Sequence, residues 1–284
     1  MTTKIKFSGM FVLLAVMLSA CNWYNSFHHT NGFTASADST DWRCEVVLPA
    51  MHYVRIFPVA SPDSLTGMVV IPSTVHYDGE IYVVTQIGAN AFQNYTGITT
   101  VVLPSTLTTI ENNAFRNCTG LTQINTPQPL STIGDYAFEG CGQLAAFSLN
   151  ASISSLGTGC FKNCTSLSGL QFPSTFSIIP DEAFYGCSSL TTVQLPPTTT
   201  AVGAKAFCRC TGLTSVEMDH SVQSIGDSAF AHCPAITSIK CLTATPPACQ
   251  PATFAQVPTA IPVTVPMASV GSYQTAQGWN KFSV

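Results

Sequence analysis

A phenylalanine recurs every 23 residues through the middle of this chain. The column comprises Phe92, Phe115, Phe138, Phe161, Phe184, Phe207 and Phe230, and no insertion or deletion interrupts it. A fixed period of this size is typical of repeat proteins, in which each unit buries its apolar face only against its neighbours. The sequence therefore predicts a solenoid in which this column forms a ladder of stacked rings.

Three further columns keep the same period. A cysteine stands three residues after the phenylalanine in six units, as Cys118, Cys141, Cys164, Cys187, Cys210 and Cys233. Two aliphatic columns accompany it, one being Ile87, Ile110, Ile133, Leu156, Ile179, Val202 and Ile225, and the other Ile98, Leu121, Leu144, Leu167, Leu190, Leu213 and Ile236. Equivalent positions point the same way in every unit, so all these columns are predicted to line the core.

One unit indicates how each coil is built. Asp135 is a plausible helix N-cap, residues 136–139 are long enough for one helical turn, and Gly140 is suited to the left-handed conformation that ends a helix. The alternation in residues 144–149 predicts a short strand with one buried face. We therefore expect short helical turns on one face and short parallel strands on the other.

The unit resembles a known family. The string Ile133-Gly134-x-x-Ala137-Phe138-x-x-Cys141-x-x-Leu144 is similar to the BspA-type leucine-rich repeats of bacterial surface proteins, over about residues 69–282. The resemblance implies an α/β repeat solenoid with 23-residue coils, capped at both ends. It also implies a non-enzymatic interaction protein, because relatives include adhesins for host matrix proteins. The expected domains are an N-terminal β cap at 43–82, seven leucine-rich repeats at 83–240 and a C-terminal cap at 241–284.

The N-terminus has the features of an export signal. Lys4 and Lys6 precede an apolar run that is too short to span a bilayer, which predicts a signal peptide over residues 1–20. Leu18-Ser19-Ala20-Cys21 resembles a bacterial lipobox, which implies lipidation of Cys21 and a polar tether over residues 21–42. The expectation is an outer-membrane lipoprotein at the cell surface. The periplasmic face, and an ordinary signal peptide, stay open as alternatives.

Composition and motifs exclude several function classes. Charged residues are 8% of the chain and acidic residues outnumber basic ones 14 to 10, which argues against a nucleic-acid partner. No histidine lies in a known hydrolase or protease motif, and phosphate-binding loops are absent, so we predict no enzyme and no cofactor. The group Glu217, Asp219 and His220 is interpreted as a solvated corner rather than a catalytic or metal site.

The cysteines allow three interpretations. Those in the column are predicted to be buried and reduced, because they repeat in register with apolar positions. A disulfide between Cys241 and Cys249 is an alternative for that pair, which flanks a proline-containing turn. A zinc site at Cys208, Cys210, His232 and Cys233 is disfavoured because the spacing matches no known finger.

The outward strand positions form the candidate binding face for an unidentified protein ligand, host or bacterial. They are rich in hydroxyl and amide groups, nearly uncharged and without aromatic residues. Their members are Thr122, Gln123, Asn125, Ser148, Gln171, Thr191, Thr192, Gln194, Thr214, Glu217 and Lys240. An equally supported interpretation is that threonine and serine simply suit solvent-facing strands. A glycan-binding or glycan-processing lipoprotein and a purely structural envelope protein remain the alternative functions.

Overall fold

A computed structural model describes residues 34–37 and 40–284 of the chain. The predicted signal peptide, Cys21 and most of the predicted tether lie outside these residues. No helix in the described part has the length and apolar composition needed to cross a bilayer.

The described residues form short strands joined by turns. The strands are β1 (Thr34–Ala37), β2 (Thr40–Leu48), β3 (Tyr53–Pro58), β4 (Gly67–Val70), β5 (Thr74–Tyr77), β6 (Glu80–Ile87), β7 (Ile98–Val102), β8 (Thr109–Ile110), β9 (Gln123–Ile124), β10 (Thr132–Ile133), β11 (Ser155–Leu156), β12 (Ile178–Ile179), β13 (Thr192–Gln194), β14 (Ala201–Val202), β15 (Ser215–Met218), β16 (Ser224–Ile225), β17 (Ser238–Cys241), β18 (Ala248–Cys249) and β19 (Val263–Thr264). The helix α1 (Val270–Thr275) and 3-10 turns at Pro49–Met51 and Met267–Ser269 complete the elements.

Two lines of parallel strands run along the solenoid. The first, here named the face line, contains β4, β7 and β9, and later β13, β15, β17 and β19. The second, the corner line, contains β6, β8, β10 and β11, and later β12, β14, β16 and β18. Within the regular coils paired residues are 23 apart, as in Ile133↔Ile110 and Gln194↔Glu217, whereas the last pairs, such as Ile239↔Val263, are 24 apart. The corner line is interrupted between β11 and β12.

The phenylalanine column forms the predicted ladder. Ring centroids of successive coils lie 5.0 to 5.7 Å apart and the rings are within 9° of parallel. The ladder has one more ring than the sequence pattern showed, because Phe254 stacks on Phe230 at 5.6 Å. We number the coils one to eight by these rings, from Phe92 to Phe254. The eighth coil lies inside residues 241–284, which the sequence pattern assigned to the C-terminal cap.

The segment predicted as a helical turn consists of consecutive tight turns instead. Within the coils the described residues contain no helix. In the third coil Tyr136 and Gly140 have positive φ, 54° and 75°, which no helix continues through. Amide groups then alternate between partners: Glu139 N–H donates to the carbonyl of Tyr136 at 3.1 Å, whereas Phe138 N–H donates to Cys160 of the next coil at 2.8 Å. The surface formed by residues 136–140 and their equivalents is named the turn face.

The predicted N-cap column bonds between coils rather than within one. The side-chain oxygen of Asp135 accepts from the amide of Thr158 at 2.7 Å, in the next coil. Asp181 accepts in the same way from Ala204 at 2.7 Å. With no helix terminus present, these carboxylates satisfy the amide of the coil stacked on them. The prediction of helix capping is corrected accordingly.

Both ends of the ladder are covered by tryptophan. Trp42 packs edge-on against Phe92 at 6.2 Å, and Trp279 packs against Phe254 at 5.1 Å. The N-terminal cap is a sheet that begins at β1, so residues 34–37 and 40–42, predicted as tether, are strands. Here alternation was too short and too polar to be recognised, and the strand depends on pairing with β2. The hairpin between β5 and β6 turns through Asp78 and Gly79, both with positive φ, as their sequence predicts.

Candidate interaction surfaces

The predicted binding face is divided into two parts. Ten of its eleven residues are exposed and Glu217 is half-buried. Thr122, Gln123 and Asn125 lie beside or within β9, and the residues from 191 onward lie in or beside β13, β15 and β17. Between these groups the face line continues only as a bridge joining Ala146 and Gly169. The structure therefore brings the predicted residues onto one side of the solenoid, but without one continuous sheet.

Part of this face is occupied by bonds between coils. The side-chain Oδ1 of Asn125 accepts a hydrogen bond from the backbone N–H of Leu103 at 2.6 Å, and its Nδ2 donates to the carbonyl of Leu103 at 3.0 Å. The hydroxyls of Thr122 and Thr214 each donate at 2.9 Å to the carbonyl of the equivalent residue in the preceding coil. These side chains join successive coils by hydrogen bonds. A structural role is therefore sufficient to explain why these positions are polar.

The C-terminal half of the face presents freer side chains. Gln194, Glu217 and Lys240 are direct neighbours across β13, β15 and β17, and Thr192 begins a parallel row of hydroxyls. The Glu217 carboxylate and Lys240 ammonium are 3.8 Å apart and each side chain is 46% exposed. The row is flat and polar, and it is fixed by four hydrogen-bonded strands.

A shallow hollow adjoins this row. It has a volume of about 350 Å³ and is lined by Gln171, Gln194, Phe172, Pro197 and Asp219 among others. Gln171 and Gln194, equivalent positions of the predicted face in adjacent coils, both line this depression. Phe172 supplies an apolar patch there, which the outward columns did not indicate because its equivalents in other coils, such as Leu149 and Leu195, are buried.

At the acidic corner near this hollow the His220 ring nitrogen Nε2 lies 3.5 Å from the Asp219 carboxylate. The Nδ1 nitrogen of the same ring lies 2.8 Å from the carbonyl of Leu242, and the His220 side chain is 74% exposed. Asp219 receives the backbone N–H of His220 at 2.7 Å. Among the described residues no group of three or more histidine, cysteine or acidic side chains could hold a metal ion.

Each thiol of the cysteine column donates to a carbonyl of the preceding coil. The Sγ atoms of Cys118 and Cys187 lie 3.0 and 3.2 Å from the carbonyl oxygens of Phe92 and Phe161. Burial raises the pKa of both thiols to about 12. These thiols are therefore neutral hydrogen-bond donors in the core rather than nucleophiles.

The cysteines outside the column are also unbridged. Every cysteine in the described residues is free, so Cys241 and Cys249 form no disulfide. Cys241 Sγ instead accepts a hydrogen bond from the hydroxyl of Tyr273 at 3.2 Å. Burial raises the pKa of the Cys208 thiol, with Arg209 opposing it.

The turn face carries a charged groove that the sequence reasoning missed. It measures about 570 Å³ and spans coils four to seven, with Lys162, Glu182, Tyr185, Lys205 and Arg209 among its lining residues. The Lys162 ammonium is 2.6 Å from the Glu182 carboxylate, and this hydrogen bond raises the pKa of Lys162. The sequence did contain a signal for this groove, namely charged residues that stand two positions before and one or two positions after the phenylalanine. These positions were interpreted only as part of the helical turn.

Comparison with known proteins agrees with this architecture. A sequence profile described as the BspA type leucine-rich repeat region matches six copies, over residues 85–198 and 177–266. A leucine-rich cell surface protein from Faecalibacterium prausnitzii is 30% identical, with a TM-score of 0.65, over 74% of this chain and 55% of that chain. This chain thus spans little more than half of that protein's length.

A second structure shares the fold alone. The pneumococcal vaccine antigen PcpA is 15% identical, with a TM-score of 0.51, over 84% of this chain and 86% of that chain. No curated protein matches the sequence significantly. The profile covers more than half of the chain, and its repeats coincide with the coils of a solenoid of about eight turns. The chain belongs to the BspA-type leucine-rich repeat family.

Proposed function

We propose that this protein is an envelope-anchored, non-enzymatic interaction protein that presents its face line to a protein ligand, as an adhesin does. Membership of a leucine-rich repeat family of bacterial surface type suggests a protein-interaction role. The observation that supports this face most is the row of Gln194, Glu217 and Lys240 across hydrogen-bonded strands. Repeat proteins commonly bind ligands along such extended surfaces.

The rigidity of the row favours binding. Within the four-stranded sheet β15 and β17 are hydrogen-bonded on both sides and β13 on one, so little backbone freedom remains to be lost on association. The adjoining hollow adds Phe172, an aromatic side chain of the kind that anchors protein interfaces. A polar row beside a depression that contains an aromatic ring and two prolines supplies both polar and apolar contacts for a protein interface.

Binding by the full chain, purified in detergent, tests the proposal. It is to be screened against a panel of host matrix proteins and against a glycan array. Thr192→Arg, on β13 of the face line, is expected to weaken capture of a protein ligand at least about tenfold by placing a bulky charge in the row. Ser224→Arg, exposed on β16 of the corner line, is the matched control and is expected to bind normally.

Three results would contradict the proposal. Equal loss of ligand capture in Thr192→Arg and Ser224→Arg would mean that the face line is not the binding surface. Capture of glycans alone would support the glycan-binding alternative, and capture of neither would support a purely structural envelope role.

The anchoring part is proposed from the N-terminal sequence. Lipidation at Cys21 would hold the protein in the outer membrane with its repeats at the cell surface. Protease treatment of intact cells should then remove the protein. Survival on intact cells with digestion after lysis would place it at the periplasmic face and contradict an adhesin.

A further inference from the structure

The groove on the turn face is electropositive in an acidic chain. The whole sequence has a formal charge of −4. The groove lining nevertheless contains Lys162, Lys205 and Arg209 with Glu182 as its one carboxylate. Three cations and one anion leave a local excess of two positive charges, on a different side of the solenoid from the face line.

Glu182 does not neutralise this excess. Its carboxylate is 2.6 Å from the Lys162 ammonium and 4.0 Å from that of Lys205. Arg209 forms no ion pair within the described part of the chain, and its guanidinium lies 5.9 Å from the ring centroid of Tyr185. Lys205 is 50% exposed, so it is available to an incoming ligand.

The groove residues occupy backbone positions that do not suit them. Lys205, Arg209 and His232 have φ of 56°, 61° and 59°. In the early coils the same two columns hold mostly the residue types that tolerate this conformation, namely Asn90, Asn94, Asn113, Asn117, Gly140, Gly159 and Asn163. Positive φ recurs at these two columns along the whole stack, including at Tyr136 and Gln256 outside the groove, so the conformation belongs to the repeat. The groove is the part of the stack in which the charged residues of these columns, Glu182, Lys205 and Arg209, lie.

We propose that this groove binds an acidic polysaccharide, with Lys205 and Arg209 as the principal contacts to its carboxylate or sulfate groups. A guanidinium and an ammonium donate charge-assisted hydrogen bonds to both kinds of oxyanion. Ser228, Asn163 and the Tyr185 hydroxyl add polar groups that match sugar hydroxyls. Lys162 belongs to coil four, and Lys205 and Arg209 belong to coil six, two ring spacings of 5.7 and 5.4 Å away along the stacking axis. A linear polyanion lying along the groove would therefore meet cations in both coils.

A peptide fits the groove less well. The cores of protein interfaces are depleted of charged residues, whereas this lining is dominated by them. The turn backbone is also committed to bonds between coils, as in the donation from Arg209 N–H to Ala231 at 2.9 Å. An extended peptide therefore finds few main-chain partners, while a polysaccharide needs none.

Affinity measurements with defined polymers test this site. The full chain is to be titrated with polygalacturonate, which carries carboxylates, with dextran sulfate, which carries sulfates, and with neutral dextran. Binding to one or both acidic polymers is expected, weakening as salt increases, and the stronger one identifies the anion. Lys205→Gln should weaken binding about tenfold, and so should Arg209→Gln.

A matched control exists on the turn face outside the groove. Arg116 stands in the column of Lys162, is 39% exposed and lies 2.7 Å from a glutamate, but it does not line the groove, so Arg116→Gln should leave binding unchanged. Glu182→Gln should strengthen binding, because it removes the groove's carboxylate without removing a cation. Equal weakening by Lys205→Gln and Arg116→Gln, or binding no stronger than to neutral dextran, would overturn the proposal. Equal affinity for polyglutamate, lost in the same variants, would overturn the polysaccharide as its ligand.

Discussion

The phenylalanine ladder is the residue-scale feature on which the fold depends most. Phe161 is 1% exposed, with the rings of Phe138 and Phe184 at 5.3 and 5.7 Å on its two sides. Each ring therefore contributes to two interfaces between coils. Such a position has no neighbour able to fill the space that a smaller side chain would leave.

Phe161→Ala is expected to lower the free energy of unfolding by about 3–5 kcal/mol, through lost burial and the cavity that remains. Thr191→Ala, on the exposed face, should cost at most about 0.5 kcal/mol. Denaturant unfolding of both variants measures the difference. Equal midpoints would mean that the ladder does not support the stack.

The buried thiols make a second prediction at this scale. The pKa of Cys187 is raised by burial from an ordinary value near 9 to about 12. In the folded protein the thiolate is absent near pH 8, so an alkylating reagent should leave the column unmodified while denaturant exposes it to rapid reaction. Because the folded pKa is the higher one, the stability from a neutral thiol is complete below pH 9 and declines as the pH rises toward 12. Rapid alkylation of the native protein would contradict this burial.

At the scale of the coil, stacking depends on close approach at one glycine column. A Cβ atom added to Gly157 would lie 2.3 Å from the backbone nitrogen of Asp135 in the preceding coil. The φ of Gly157 is not in the left-handed region, so its role is space rather than backbone freedom. Glu111 and Pro180 in the same column show that the approach is not equally close in every coil.

Gly157→Ala should therefore destabilise the protein by about 1–3 kcal/mol, since the backbone must move apart. Gly169→Ala is the control, because nothing lies within 4 Å of its added Cβ. It should be neutral or slightly stabilising, by about 0.4–1 kcal/mol. Thermal unfolding compares the two, and equal effects would show that the coils separate more easily than the packing indicates.

The core of each coil could be predicted from the sequence more accurately than its turns. The columns of Phe138 and Cys141 were sufficient to predict the ring and thiol ladders, since equivalent positions stack. Asp135 resembled a helix cap because its partner, Thr158, is 23 residues away and leaves no local signal. Lys205 and Arg209 gave no sign of positive φ, because neither residue type favours it. The groove was missed for this reason.

At the scale of the whole molecule, the caps at the two ends cover the apolar faces that the first and last coils would otherwise expose. Trp279 is fully buried, and its indole N–H donates to the carbonyl of Pro247 at 3.0 Å. The eighth coil escaped the sequence pattern because Phe254 follows Phe230 by 24 residues and Val257 replaces the cysteine. The pattern marked regular coils, whereas the ends departed from it.

Trp279→Ala should cost about 3–5 kcal/mol and expose the last coil first. Met267→Ala, in the same cap but with Met267 93% exposed, should cost at most about 0.5 kcal/mol. Hydrogen exchange is expected to show lost protection near Phe254 that decreases toward Phe92. Uniform loss along the chain would indicate that the stack unfolds as one unit rather than from its end.

Because the register between coils is constant, the solenoid lengthens by one fixed step with each added coil. Adjacent rings are separated by 5.0 to 5.7 Å, so the gain or loss of 23 residues changes the reach of both long surfaces by one such step. The packing of Trp42 and Trp279 against the two end coils needs no change when a coil is gained or lost. The one extra residue between Phe230 and Phe254 leaves the rings stacked at 5.6 Å, but an increment that does not complete a coil would misalign every column beyond it. The length of this architecture is therefore expected to vary only in whole coils.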